Sequence, residues 1–310
     1  EDRPRVLVFE QLADRFGGNI GVLAHSSPSC FRTGIYGNNK LLTLKLAGAD
    51  YEPPPPSTGM AAIEIDDLTK RYGDHLAVDG LRLTIDRGEA VGVVGPNGAG
   101  KSTTIDVLLD YVRPTTGTVE VFGFDAQTET RAVHERIGVL PDGYSLYDRL
   151  TGREHLRLAA RLKGTDADVT AVCDRVGLDV ADAGRPAGSY SKGMGQRLAI
   201  GMAMVGDPDL LILDEPTAGL DPHGVARLQD LLAAELDRGT TVFFSSHVLD
   251  HVASTCDRVA ILDDGRLVAV DTIDGLREAV GSAALTLPEL FAVYTDGEDP
   301  RPATAGVSAE

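Results

Sequence analysis

Two short stretches of this 310-residue chain carry residue types that do chemistry at a fixed spacing. The first, Gly95-Pro96-Asn97-Gly98-Ala99-Gly100-Lys101-Ser102, fits the pattern G-x-x-x-x-G-K-[ST] in full. Its glycines let backbone N–H groups turn into one concavity that holds phosphate oxygens, and the helix that opens there adds the positive end of its dipole. Lys101 would reach the β- and γ-phosphates of a nucleotide. Ser102 would place its hydroxyl on Mg²⁺, and Thr103 could reach the α-phosphate. In the second stretch the apolar run 210–213 leads into Asp214-Glu215. A buried strand ending in two carboxylates offers one to a metal and one to a water. Asp214 would hold Mg²⁺ through its shell, and Glu215 would orient and polarise the attacking water, the positioning that phosphoryl transfer needs. Many strands end in acids, so this pair takes its weight from following the glycine loop and preceding Pro216.

These groups need elements to hold them. Strand patterns fall near 61–66, 81–85 and 90–94, the last running directly into the glycine loop. A helix is expected over 101–112, and strands near 118–122 and 137–140. Thr151 and Glu154 form a capping box opening a helix with Leu156, Ala159, Ala160 and Leu162 inward. Further helices are expected over 169–176 and 192–205. The run 210–213 is short and unbroken, as in a strand covered on both faces. A helix near 225–236, a strand at 241–244 and a helix starting near His247 follow. Strands near 258–262 and 267–270 and helices near 273–279 and 287–294 complete the pattern. Strands alternating with helices predict an α/β domain with a largely parallel sheet. His247 and His251 stand four apart, but Val248 occupies the place where the zinc-protease pattern needs a glutamate, so no metal is assigned to them. Met202 and Met204 read as core.

The chain carries 29 Lys and Arg against 47 Asp and Glu, a net charge of −18, with 43% apolar residues. The apolar content excludes a mostly disordered chain. The acidity argues against nucleic acid as a partner, because phosphate-backbone binding runs on Lys and Arg. Only six basic residues are Lys, and 32 Asp stand against 15 Glu. Such a surface stays hydrated in brine, where the Debye length falls to about 3 Å at 1 M, and predicts a salt-loving host. Cys30, Cys173 and Cys256 are too scattered for a disulfide framework or a metal spacing, which suits a reducing compartment. No stretch approaches the roughly 20 apolar residues of a membrane span, and no signal-peptide pattern is read. Residues 1–59 hold six basic and six acidic residues, so residues 60–310 carry the whole charge. A Pro53–Pro56 run followed by Ser-Thr-Gly separates them. The expectation is an N-terminal extension over 1–59, not native or disordered, with Met60 as the natural start; a small N-terminal domain is the rival reading. A domain over 60–296 and a loose tail over 297–310 follow.

Just before the two carboxylates stands Tyr190-Ser191-Lys192-Gly193-Met194-Gly195-Gln196-Arg197. Here the chain resembles the ABC ATPase family. The stretch is similar to that family's signature, usually L-S-G-G-Q, with Ser191 and Gly193 matching and Tyr190, Lys192 and Met194 departing. Other landmarks follow in the family's order. Tyr72 sits where an aromatic stacks on adenine, Asp221 in Gly219-Leu220-Asp221 resembles the D-loop, and His247 resembles the switch histidine that touches the γ-phosphate. Asp142 stands after Leu140-Pro141 where the family usually has Gln. It keeps a hard oxygen for Mg²⁺ but loses an N–H₂ donor and one carbon of reach.

The resemblance implies a P-loop NTPase fold of ABC type: a mainly parallel core sheet, an antiparallel β part and a helical subdomain near 143–190. It implies an ATPase with catalytic Lys101, Glu215 and His247. ATP would be bound by Tyr72, Gly95, Pro96, Asn97, Gly98, Ala99, Gly100, Lys101, Ser102, Thr103, Ser191, Gly193 and Asp221. Mg²⁺ would be held by Ser102, Asp214 and Asp142. In this family the signature caps the nucleotide of a second copy, which implies a homodimer or close heterodimer with two ATPs sandwiched head to tail. Separate transmembrane permease chains would supply the pathway, placing the chain peripherally on the cytoplasmic face of the membrane. The segment 143–150, with two tyrosines and a leucine expected to be exposed, is where the family docks its permease. Residues 140–154, the Tyr-Ser-Lys-Gly-Met run and 287–291 resemble subunits paired with ABC-2-type export permeases. Among these are subunits linked to copper or nitrous-oxide-reductase maturation and to sodium or drug efflux. A soluble ABC ATPase acting on ribosomes or DNA is the alternative. It fits less well because one cassette is present and only 90 residues separate Lys101 from Ser191.

Overall fold

The structure is a computed structural model and describes residues 33–37, 40–44 and 61–296. The chain divides into two units, 1–51 and 52–310. In the first, β1 (Thr33–Gly37) and β2 (Lys40–Leu44) pair antiparallel, with Gly37 opposite Lys40. The rest of the expected N-terminal extension, and the tail over 297–310, lie outside the described residues.

In the second unit β3 (Ala61–Tyr72), β4 (His75–Asp86) and β5 (Ala90–Val94) lead into α1 (Lys101–Leu108). Next come β6 (Thr116–Val121), β7 (Phe124–Asp125), α2 (Thr130–Arg136) and β8 (Ile137–Leu140). Helices α3 (Gly152–Lys163), α4 (Val169–Val176) and α5 (Lys192–Met204) precede β9 (Leu210–Asp214). Then follow α6 (Pro222–Asp237), β10 (Thr241–Ser246), α7 (Leu249–Ala253), β11 (Arg258–Asp263) and β12 (Arg266–Asp271). Helices α8 (Ile273–Val280) and α9 (Leu287–Asp296) end the described chain.

The main sheet runs β12-β11-β5-β10-β9-β8, and a second sheet runs β4-β3-β6-β7. All pairings in the main sheet are parallel except the β11–β12 edge, and those in the second are antiparallel. The main sheet is covered on both faces. Leu210, Ile212 and Phe243 join the apolar residues of the antiparallel sheet and α1. Leu211, Leu213 and Phe244 join those of α3, α4 and α5. That division explains why β9 reads as an unbroken apolar run: alternate residues enter different cores.

Local chemistry sets the helix ends. The Thr151 hydroxyl accepts from Glu154 N at 3.2 Å, and the Glu154 carboxylate accepts from Thr151 N at 2.8 Å, the capping box that starts α3. Asp168 caps α4, whose C-cap Gly177 takes the left-handed φ of 63°.

Several expectations differ. Helix α1 stops at Leu108 rather than 112, because Asp110 turns to φ 55°. β3 and β4 run twelve residues each, well past the short strands read from alternation, since their outer ends pair with each other beyond the buried part. Helix α2 was not foreseen, being a single short amphipathic turn pair with only Val133 buried. Leu162 is not inward but 80% exposed, while Leu156 and Ala160 are buried. His247 is not on a helix with His251: α7 begins at Leu249, with Val248 as its cap.

Candidate functional site

The glycine loop leaves the buried strand β5 and enters α1. Two close approaches shape it. A Cβ on Gly95 would lie 2.5 Å from the Leu262 carbonyl oxygen, and one on Gly100 would lie 2.6 Å from that of Ala77. Gly100 also holds φ 99°, a conformation that side-chain-bearing residues rarely adopt. The loop is therefore wedged between β11 and β4, while Pro96, Asn97 and Gly98 stay exposed.

Lys101 is 9% exposed, and its Nζ donates to the carbonyls of Gly95 at 2.6 Å and Pro96 at 3.2 Å. Burial lowers its pKa, and the charges of Glu215 and Asp214 oppose that shift. An ammonium held against loop carbonyls can exchange them for phosphate oxygens, a stronger charge-assisted partner. Ser102 is exposed and Thr103 half-buried on the same turn.

Asp214 ends β9, where its register partner on β10 is Ser245. The fully buried Ser245 hydroxyl donates to the Asp214 carboxylate. Glu215 N in turn donates to Ser245 O at 3.2 Å and to Ser245 Oγ at 3.1 Å. Glu215 sits at φ 50°, a strained conformation for a non-glycine residue and one held here by those bonds. Its carboxylate meets His247 Nδ1 at 2.7 Å. With Nδ1–H donating to the carboxylate, Nε2 remains for another partner. On α1, Asp106 has its carboxyl pKa raised, first by burial and then by the charge of Asp214. Lys101, Asp214, Glu215 and His247 thus gather at the carboxyl ends of the adjacent parallel strands β5, β9 and β10, where open α/β sheets bind ligands.

The other candidate residues stand on other elements. Tyr72, 44% exposed, ends β3, with Lys70 Nζ 4.8 Å from its ring centroid. Ser191 caps α5, its hydroxyl accepting from Met194 N at 3.3 Å. A Cβ on Gly193 would meet nothing within 4 Å. Asp221 caps α6 by accepting from Gly224 N at 2.7 Å. Among the described residues no hydrogen bond or ion pair joins Ser191, Gly193 or Asp221 to the glycine loop, or Asp142 to Ser102 or Asp214. Asp142 is exposed, two residues past β8.

Of the two tyrosines expected to be exposed, Tyr147 is 65% exposed. Tyr144 is half-buried and bonded to Gln196, because its ring packs into the helical core. Sequence reasoning missed Ser245, Asp106 and Gln196. Ser245 has only one signal in the sequence, its place two residues before His247. Its partner is fixed by strand register, which one sequence does not reveal.

Residues 78–218 match the family described as ABC transporter. The chain is 41% identical over 226 residues to the daunorubicin resistance ATP-binding protein DrrA3 of Streptomyces coeruleorubidus, covering 71% of each chain. It is 40% identical over 224 residues to the fluoroquinolones export ATP-binding protein of Mycobacterium tuberculosis, covering 71% of this chain and 74% of that one. Among solved structures it resembles an ATP-binding subunit of an ABC transporter at 30% identity. The TM-score is 0.70, with coverage of 75% of this chain and 99% of the other.

Proposed function

The chain belongs to the ABC transporter family as an ATP-binding, ATP-hydrolysing subunit, and on that footing we propose that it drives a membrane exporter from the cytoplasmic face. The observation that carries the reading is the gathering of a buried lysine with Asp214, Glu215 and His247 at the ends of three adjacent strands. Export is the direction named for the fluoroquinolone relative. The family reading implies that separate permease chains supply the pathway; no described helix is long and apolar enough to cross a membrane. Residues 60–296 form the ATP-binding domain, with 143–190 as its helical part.

Tyr72 stacks on the adenine. The backbone N–H groups of 97–102 hold the phosphates, with Thr103 on the α-phosphate and Lys101 on the β and γ. The donor set fits a hard divalent cation: an exposed hydroxyl at Ser102, and a carboxylate at Asp214 whose acceptor capacity one serine hydroxyl does not exhaust. Ser102 and Asp214 would hold Mg²⁺, with Asp142 as a further oxygen, and the bound ion supplies neutralisation of phosphate charge. Glu215 takes the proton of the attacking water, and His247 fixes that carboxylate by donating Nδ1–H; donating to the γ-phosphate through Nε2 as well requires that the ring carry both protons. Ser191, Gly193 and the start of α5 complete the pocket of a second copy, helped by Asp221. Cell fractionation tests the exporter reading. The chain should sediment with membranes and elute with a multispanning protein; recovery with ribosomes, released by RNase, would overturn it.

Two further outcomes follow. Ser245→Ala removes the hydroxyl that serves both Asp214 and Glu215. Turnover should fall about tenfold, the effect of one buried bond lost at the reacting groups, with ATP affinity nearly kept. Steady-state kinetics alongside nucleotide titration check this, and unchanged kcat would remove Ser245 from the site. The second concerns salt: with a net charge of −18, the fold should need molar salt to screen self-repulsion. A melting temperature that stays level between dilute buffer and molar KCl would contradict the brine reading.

A further inference from the structure

Gln196 is a buried amide that the mechanism above leaves unused. It lies on α5, five residues after the Ser191 cap, and is 5% exposed. Both ends of its side chain are engaged. Nε2 donates to the Pro216 carbonyl at 2.6 Å, and Oε1 accepts from the Tyr144 hydroxyl at 2.7 Å. Pro216 directly follows Glu215, whose backbone is held in the left-handed region. The Glu215 side is fixed by Ser245, so the Gln196 amide anchors the chain on the other side of the strained residue. Tyr144 belongs to the segment between β8 and α3. A Cβ on Gly195 would lie 3.6 Å from Leu146 Cδ1 and 3.9 Å from the Tyr144 hydroxyl oxygen, so this segment rests on the first turns of α5. Burial pushes the Tyr144 hydroxyl up to about 12, so it keeps its proton to donate.

We propose that Gln196 is a positioning residue for Glu215, acting through the Pro216 carbonyl, and that Tyr144 sets how firmly it does so. The chain Tyr144–Gln196–Pro216 then links the segment 141–150 to the hydrolytic glutamate by two hydrogen bonds. The inference rests on Glu215 being that glutamate. An amide suits the task because it can donate and accept at once, and a buried network with every member paired fixes geometry more firmly than apolar contact.

The test is a mutant cycle read by single-turnover ATP hydrolysis. Gln196→Met keeps the volume and loses both bonds. Its hydrolysis rate should fall about tenfold while ATP affinity stays at the wild-type value. Tyr144→Phe removes one oxygen and should give a smaller fall in the same direction; it decides the matter if Gln196→Met does not fold. In the Glu215→Gln background both substitutions should leave the residual rate unchanged, because the group they position is gone. The same fractional loss in both backgrounds, or weaker ATP binding at an unchanged rate, would overturn the proposal and leave Gln196 a packing residue. A Glu215→Gln chain with wild-type turnover would instead overturn the reading beneath it.

Discussion

Glu215→Gln should bind ATP yet hydrolyse it at least about a hundredfold more slowly, the range lost when a positioned base is removed. The substitution is nearly isosteric. The amide oxygen can still accept from His247 Nδ1–H, and the backbone bonds of residue 215 to Ser245 do not involve the side chain. Lys101 and the glycine loop are untouched, so affinity for the triphosphate should survive. What is lost is a group able to take a proton from water. If hydrolysis normally separates two copies, the arrested chain should remain paired in ATP and Mg²⁺ and fall apart when nucleotide is removed. Size-exclusion chromatography with and without ATP reads this directly. A single-copy species turning over ATP at the wild-type rate would remove Glu215 from its role.

How far the sequence reaches is seen by comparing Lys101 with Asp142. The glycine loop is a contiguous pattern whose consequences are local: tight turns, a helix start and a lysine at its first position. Such chemistry is legible because the backbone itself enforces it. The β9 run was legible for a related reason, since a strand between two cores must be apolar at every position. Asp142 differs because its reach depends on how a surface segment lies, and it is exposed without a bond to the other candidate ligands among the described residues. Ser245 and Gln196 were hidden for a third reason. Each meets its partner across strand register or helix packing, separations of 31 and 20 residues that no local pattern encodes. Leu162 fits a helical apolar stripe and yet faces outward, because periodicity gives a face but not the width of what covers it.

Lys101→Ala and Gly193→Asp should each abolish turnover, by opposite halves of the same pocket. The lysine variant loses the buried ammonium that faces the phosphates, and removal of one such preorganised charge costs about a hundredfold or more. Its fold should survive, because burial already disfavours the charged form of Lys101. Gly193 is a sharper probe. A side chain there meets open space within its own chain, and an acid near a helix start is favourable. The Gly193→Asp chain should therefore fold, bind ATP in its own glycine loop and still fail, because its carboxylate would oppose the triphosphate carried by the other copy. Melting curves and nucleotide titration separate these losses from misfolding.

Mixing those two inactive chains tests the shared pocket most directly. A mixed pair joins the sound glycine loop of the Gly193→Asp chain to the sound signature turn of the Lys101→Ala chain, giving one good site of two. With random pairing, about a quarter of the wild-type rate should return. A mixture that stays silent, or a Gly193→Asp chain hydrolysing ATP at full rate while unpaired, would contradict the account.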